Sequence, residues 1–573
     1  MAKKTGGYGA DQMLDMVGEA DEFRGGYGGD SLYGMAGNDK LYGQQNDDTL
    51  NGGEGNDYLD GGSGYDMLFT DAGKDTLLGG AGDDTFFVID LADAKGDTMD
   101  GGKGVDTLTL SLTDSNAAIK FTAADPIKSV KFNGQFDIKG IEKFNILAGK
   151  GNDAITGYVL GDYLSGGAGK DTLNGSAGND FLQGDAGNDK LDGGQDNDFI
   201  YGGTGKDVIN GGSGSDFLYS DGTLNTDDDS SGGDRGTEAD TLNGGTGGDR
   251  VSVGVKDVAD GGAGHDNLHL YFRSSSVAEN FTFKASNTFK SGGSAKNFET
   301  LHFEGGSGAD SVTGGAGDDI LDGGSGKDVL RGGAGQDTLI DSAGADKMYG
   351  DGGADYFSIG TEALDKDVID GGSGTDEVWF SDEADFSVYL DMADQKKHEG
   401  LAKGDTYTSI EAFHGTGLDD VMMGSRKAAD RFFGEDGDDV LNGRDGNDRL
   451  EGGEGADELT GGAGKDVFVM NVADDEDDSP YANGHWRGDT VVDFKQGDDK
   501  LQISLSDFGL GSAKAFVLTS GTAAKTAGAE FFFDAATDRL WFDADGKGGD
   551  HAAELIATFE NGVNLKATDF IFG

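Results

Sequence analysis

An aspartate returns every nine residues through long stretches of this chain. Residues 25–87 read GGYGGDSLY, GMAGNDKLY, GQQNDDTLN, GGEGNDYLD, GGSGYDMLF, TDAGKDTLL and GGAGDDTFF, seven units with no gap. The sixth residue of each is Asp30, Asp39, Asp48, Asp57, Asp66, Asp75 or Asp84, and the eighth is always large and apolar, from Leu32 to Phe86. Carboxylates repeated in phase repel one another unless a cation sits among them. A hard cation that takes six to eight oxygens at about 2.3–2.6 Å suits carboxylate and backbone carbonyl donors. That describes calcium. Magnesium holds its waters in a tight octahedron, and softer metals want His or Cys.

The elements that must hold these carboxylates follow from the other residues of the unit. The glycines permit left-handed and extended backbone, so the first six residues can turn tightly and aim carbonyls inward. The last three, x-U-x, make a minimal strand with one side chain pointing in. Turn, strand, turn, strand yields a flattened coil of parallel strands. Two units complete a circuit, and the apolar residues stack inside it.

Composition agrees. The chain has 573 residues, 107 of them Gly and only 2 Pro, without the three-residue period of collagen. Acidic residues number 108 against 44 basic, a net charge of −64. So large a charge disfavours a compact state unless something neutralises it. It argues against nucleic-acid partners, which need Lys and Arg at the phosphates, and against anionic membranes. There is no cysteine, so no disulfide or thiolate metal site. No run is long and apolar enough for a transmembrane helix, and the N-terminal residues lack the apolar core of a signal peptide.

The pattern divides the chain into an expected series of segments. A first roll spans residues 1–106, with Asp11 in an early unit and Asp106 in the closing GGKGVDTLTL. Residues 107–148 alternate apolar and polar side chains, the mark of half-buried antiparallel strands, and read as a β insertion. A second roll, 149–266, carries Asp153, Asp162, Asp171, Asp180, Asp189, Asp198, Asp207 and Asp216. An acidic loop follows, then irregular units at Asp240, Asp249, Asp257 and Asp266. A second insertion, 267–304, precedes a third roll, 305–376, with Asp310, Asp319, Asp328, Asp337, Asp346, Asp355 and Asp376. A third insertion, 377–414, precedes a short fourth roll, 415–466, with Asp439, Asp448, Asp457 and Asp466. The insertions leave by similar segments, IEKFNILAGKGND, FETLHFEGGSGAD and IEAFHGTGLDD, so one module is repeated in tandem. Residues 467–573 form a separate β-rich tail. The fold class expected is all-β: tandem parallel β-rolls interrupted by antiparallel β insertions, with a β-rich C-terminal domain.

The unit G-G-x-G-x-D-x-U-x resembles the calcium-binding nonapeptide of RTX proteins. The tail adds to the likeness. VVDFKQGDDKL, the hairpin sequence from Asp534 to Asp543 and the closing Ala-Thr-Asp-Phe at 567–570 are similar to the C-terminal domain of RTX proteins exported by type I secretion. The resemblance implies an ion between each turn and the next on the same edge, roughly 17 calcium ions or more in the strict blocks. Those ions would offset about 34 of the 64 excess charges. It further implies an uncleaved C-terminal export signal read by the type I machinery, and a secreted, extracellular or cell-surface location. Because the repeats begin at Gly6, no effector domain is expected ahead of them.

Other motifs lead elsewhere less well. DADGKGGDHAAE, residues 543–554, has EF-hand spacing, but Lys547 stands at a ligand position, and a hairpin is the better account. The seven histidines include His265 and His269 four apart, without the Glu of a zinc-protease motif. Neither G-x-S-x-G nor a phosphate-binding Gly-Lys-Ser/Thr occurs, so no enzyme is expected. Third positions of the first block carry no Thr row, which argues against ice binding. The reading is a calcium-binding structural protein that folds on calcium after export. It self-associates or meets cell-surface polysaccharide as a surface-layer, matrix or adhesive scaffold. The alternative is a secreted carbohydrate-binding or polysaccharide-acting protein using Trp379, Phe380 and Tyr389. No membrane insertion is expected.

Overall fold

In the computed structural model the described residues are 3–14, 18–113, 115–123, 125, 127–221, 238–360, 365–381, 385–470, 488–504, 508, 516–525, 529–544 and 553–572. The acidic loop after Asp221 and most of the EF-hand-like segment therefore lie outside them. The described residues are almost wholly strand and turn, with short 3-10 turns at Gln395–Lys397 and Ala567–Asp569. The chain forms two compact units, one of residues 1–274 and 284–299, the other of 275–283 and 300–573.

In the first unit one wall is a continuous parallel ladder. It runs from Gln12–Leu14 through Ser31–Tyr33, Thr49–Asn51, Met67–Phe69 and Thr85–Val88. It continues through Thr107–Ser111, Lys143–Leu147 and Tyr163–Ser165 to Asn267–Tyr271. The other wall is two successive ladders. The first joins strands from Lys3–Thr5 to Phe136–Lys139, and the second joins strands from Lys120–Thr122 to Ser294–Lys296. The second unit repeats the plan. Thr300–Glu304 to Phe570–Phe572 form the continuous wall, and two shorter sheets form the other.

Register explains the period. Phe23 pairs with Leu41 and Leu32 with Leu50, each partner 18 residues on, so two nonapeptides make one circuit. All members of the apolar row are inside: Leu32, Leu41, Leu50, Leu68 and Leu77 are fully buried. The second and fourth residues of a unit turn through left-handed backbone, as at Gly26 (φ 109°) and Gly28 (φ 104°). Glycine takes these angles without the clash a β-carbon would cause. Where the positions hold other residues, Met35, Gln44 and Asn46 take positive φ as well.

The insertions correct one expectation. Among the described residues each contains one antiparallel pair: Val130–Phe132 with Phe136–Lys139, Ser286–Thr288 with Ser294–Lys296, and Val388–Asp391 with Glu399–Gly400. Their other strands run parallel within the roll. Thr107–Ser111 pairs with Thr85–Val88 and Lys143–Leu147, and Glu377–Phe380 with Tyr356–Ile359 and Ala412–His414. Alternation reports that one strand face is buried; it carries no information on the direction of the neighbour. The insertions thus lengthen strands and widen the core, where Phe121 stacks on Phe132 at 4.4 Å and meets Phe144 at 5.0 Å. In the tail, Val467–Met470 and Lys500–Ile503 extend the fourth roll in parallel, and Glu530–Asp534, Arg539–Asp543 and Glu554–Phe559 form an antiparallel meander.

Leu50 sits between Leu32 and Leu68 in the ladder. Leu50→Ala leaves a cavity and is expected to cost about 2–5 kcal/mol, against less than about 0.5 kcal/mol for the neighbouring Thr49→Ala. Urea denaturation at saturating calcium measures both; equal stabilities would contradict a packed apolar ladder.

Candidate metal centres

The repeated aspartates stand in columns, one above another along the edges of the rolls. The backbone N–H of each donates to Oδ1 of the next, at 2.7 Å from Asp30 to Asp48 and 2.8 Å from Asp48 to Asp66. One column runs Asp11, Asp30, Asp48, Asp66, Asp84, Asp106, and its neighbour Asp21, Asp39, Asp57, Asp75, Asp97. In the second block the columns are Asp153, Asp171, Asp189, Asp207, Asp240, Asp257 and Asp162, Asp180, Asp198, Asp216, Asp249, Asp266. The second unit has Asp310, Asp328, Asp346, Asp367, Asp405 beside Asp319, Asp337, Asp355, Asp376. It also has Asp420, Asp439, Asp457, Asp489 beside Asp430, Asp448, Asp466, Asp499.

Every aspartate singled out by spacing takes a place in a column. The columns also hold Asp21, Asp257, Asp367 and Asp430, which belong to units out of the strict phase, and members that spacing missed: Asp97, Asp405, Asp420, Asp489 and Asp499. Three end on a glutamate. Asp106 donates to Glu142 Oε2 at 2.9 Å, Asp266 to Glu299 Oε2 at 2.8 Å and Asp376 to Glu411 Oε2 at 3.0 Å. These are the acidic residues of the shared exit segments, so the signal for them was in the sequence.

Oδ1 is thus spent on the backbone, and Oδ2 is left over. Among the described residues, Oδ2 of Asp30, Asp48, Asp57, Asp66, Asp84, Asp171, Asp180, Asp198, Asp319, Asp337 and Asp448 is buried and has no hydrogen-bond donor. A buried carboxylate oxygen without a partner is costly. Oδ2 faces the first glycine of its own unit. A β-carbon at Gly166 would lie 2.7 Å from Asp171 Oδ2 and 3.0 Å from the carbonyl oxygen of Gly184, one circuit on. Absence of a side chain there keeps open a space where a carboxylate and a carbonyl oxygen converge. This all-oxygen donor set fits calcium.

Burial is the main electrostatic perturbation. It pushes Asp48, Asp57, Asp66 and Asp75 up to about 7, with the neighbouring aspartates adding to the shift and the donated N–H opposing it. Asp180 and Asp240 are pushed up to about 8 and Asp439 to about 9 by the same causes. Without a cation, the folded roll favours protonation of these groups well above the ordinary carboxylate range.

The aromatic residues considered for carbohydrate do not form one surface. Phe380 is in the core, edge-on to Tyr407, whereas Trp379 lies flat on His414 at 3.6 Å. The Asp534–Asp543 hairpin forms, its turn tied by Thr537 Oγ1 donating to Asp534 Oδ2 at 2.7 Å.

A family model described as the RTX calcium-binding nonapeptide repeat (4 copies) matches residues 24–59, 51–86, 165–200, 192–222, 302–330, 322–357, 365–386, 414–450 and 433–468. The chain carries these repeats, and repeats of this kind bind calcium. No curated protein matches the chain. Among solved structures, the crystal structure of the extracellular lipase LipA from Serratia marcescens aligns over 50% of this chain and 41% of that one, at 17% identity and a TM-score of 0.17. The alignment spans less than half of the lipase's length and carries no inference about activity.

The raised carboxyls set the pH behaviour without metal. Their folded values lie above the ordinary carboxylate range, so their contribution to stability is full below about pH 4 and is lost as pH rises through about 6–9. In chelator, β structure followed by circular dichroism is expected to grow as pH is lowered from about 9 towards 4. A spectrum unchanged over that range would contradict buried, unpartnered carboxylates.

Proposed function

We propose that this chain is an extracellular calcium-binding structural protein that folds as calcium fills its columns, and that it acts as a self-associating scaffold at a cell surface or in a matrix. The observation that carries this reading is the file of buried, donorless Oδ2 atoms, with a carbonyl oxygen of the next circuit facing the same glycine position at Asp30, Asp48, Asp84 and Asp171. The column aspartates hold calcium, roughly 17 ions or more if each pair of successive turns on an edge takes one. Bound only by the folded form, the ions turn their binding free energy into folding free energy. At the low calcium of a cytosol, sites of extracellular grade, with Kd of about 10⁻⁴–10⁻³ M, stay empty. The net charge of −64 then keeps the chain expanded and fit to be threaded through an exporter.

The tail supports the export half of the proposal. Its hairpin and its closing strand Phe570–Phe572, seated on Lys500–Ile503, occupy the segments that resemble a type I secretion signal. The scaffold half draws on the outward aromatic rows. Phe199 stacks on Phe217 at 4.6 Å and Tyr201 on Tyr219 at 4.7 Å, and Phe199 is 42% exposed. Regular, rigid and repeated side chains of this sort suit contacts between copies. Nothing in the columns suits catalysis: carboxylates engaged by a backbone N–H and a cation are not free to act as acid or base.

Full-length protein in excess chelator at neutral pH is expected to give a coil-like circular dichroism spectrum and to gain β structure at millimolar calcium, in the range of extracellular sites. Electron microscopy of the calcium form tests the second half: ordered sheets or filaments support the scaffold, and persistent monomers at high concentration overturn it. A fully folded spectrum in chelator at low salt would overturn the calcium-driven fold itself.

A further inference from the structure

In the third block the chain departs from the rule that keeps the cradle open. The unit DSAGADKMY, residues 341–349, carries Asp341 where most units carry their first glycine, and reaches its column aspartate, Asp346, five residues later. At that first position a β-carbon points at the column carboxylate: at Gly323, one circuit earlier, it would lie 2.5 Å from Asp328 Oδ2. A side chain that begins there grows into the space between the oxygens. In the strict units the position is otherwise glycine, apart from Thr70 and Ala148, neither of which brings a charge.

The geometry follows. One carboxylate oxygen each of Asp341, Asp346 and Asp367 lie within 4.8 Å of one another, and all three side chains are buried. Asp341 is 5% exposed, and its Oδ1 has no hydrogen-bond donor. Asp346 and Asp367 are successive members of one column, with the Asp346 N–H on Asp367 Oδ1 at 2.7 Å. Asp405 follows, accepting from the Asp367 N–H at 3.1 Å through Oδ1 and from the Tyr407 hydroxyl at 3.1 Å through Oδ2. The charged groups that act most strongly on Asp341 are acidic: Asp367, Asp405, Asp346 and Asp365, with Lys327 acting on the adjoining Asp346.

We propose that Asp341, Asp346 and Asp367 form a high-charge cation site, set apart from the ordinary turns of the roll by a third carboxylate, that takes calcium more tightly than the rest. The proposal rests on the reading of the columns as calcium sites. Charge count and rigidity tune calcium affinity over orders of magnitude. An ordinary cradle offers the carboxylates of two successive turns, whereas this one adds a third, held rigidly inside the fold. It is therefore the first site filled as calcium rises, in mid-column, with Asp310 and Asp328 on one side and Asp405 on the other.

Equilibrium dialysis of the full-length chain against graded calcium–EGTA buffers tests this, comparing wild type with Asp341→Gly, which restores the usual residue, and Asp341→Asn, which keeps the shape. Wild type is expected to retain one ion at a free calcium at least about tenfold below that needed for the remainder. Both variants are expected to lose that step while keeping their β structure at saturating calcium. Identical curves for wild type and a folded variant overturn the site. If neither variant folds, the wild-type curve decides: a separate tight ion supports the site, and a single class of sites overturns it. A wild type that binds no calcium would instead sink the reading of the columns.

Discussion

One hydrogen bond governs this architecture, from the backbone N–H of each column aspartate to Oδ1 of the aspartate one circuit on. It uses a donor that the turn would otherwise leave unpaired, and it fixes the rotamer of the accepting carboxylate. With Oδ1 fixed, Oδ2 is aimed at the first glycine of its own unit. The nine-residue period, the glycines and the apolar eighth residue are conditions for this bond to repeat. A β-carbon at the first position crowds Oδ2, which the columns absorb only at Thr70, Ala148 and Asp341 among the strict units, and loss of the apolar ladder would let successive turns slide out of register.

The same bond creates the electrostatic problem that defines the molecule. Carboxylates stacked at strand spacing and shielded from water cannot all be ionised in a metal-free fold. Basic side chains do little to relieve them. The Lys and Arg ion pairs seen, such as Lys139 with Asp100 at 2.7 Å and Lys296 with Asp260 at 2.5 Å, involve acidic residues outside the columns. These two pairs hold equivalent places where an insertion hairpin rejoins the roll, since Asp100 pairs in register with Lys139 and Asp260 with Lys296. In the third module Asp370 faces Thr408, and the pair is replaced. Basic residues fasten hairpins and leave the columns acidic.

Much of this was legible in the sequence because the repeat is local. A unit's turn, its carboxylate and its inward residue lie within nine positions, so phase alone located Asp30 to Asp84 and their counterparts. What spacing did not disclose were column members reached across irregular intervals. Asp97 accepts from Asp75 across 22 residues, and Asp405 from Asp367 across 38. The column is defined by which turns are adjacent in space, and sequence counts residues. Glu142, Glu299 and Glu411 were marked by the shared exit segments but not by phase, because the longer side chain reaches the same N–H from a different backbone position. Strand direction in the insertions was illegible because alternation is the same for parallel and antiparallel neighbours. Asp341 was overlooked because a carboxylate at a turn glycine reads, in one dimension, as one more acidic residue.

The irregular intervals also explain how a roll can carry insertions at all. The bond from Asp106 to Glu142 spans 36 residues, and that from Asp30 to Asp48 spans 18, yet their lengths are 2.9 and 2.7 Å. Extra chain leaves the edge, builds a hairpin and returns to the same step of the column. The entropic cost of the longer closure grows only with the logarithm of its length, about 0.6 kcal/mol per doubling. A cation bridging successive turns, as proposed, would by contrast add its binding free energy at every step. Length between steps is therefore nearly free to vary while the steps themselves are not. Hairpins and outward side chains can change without disturbing the fold, provided that each excursion returns an acidic residue to the column, as Glu142, Glu299 and Glu411 do.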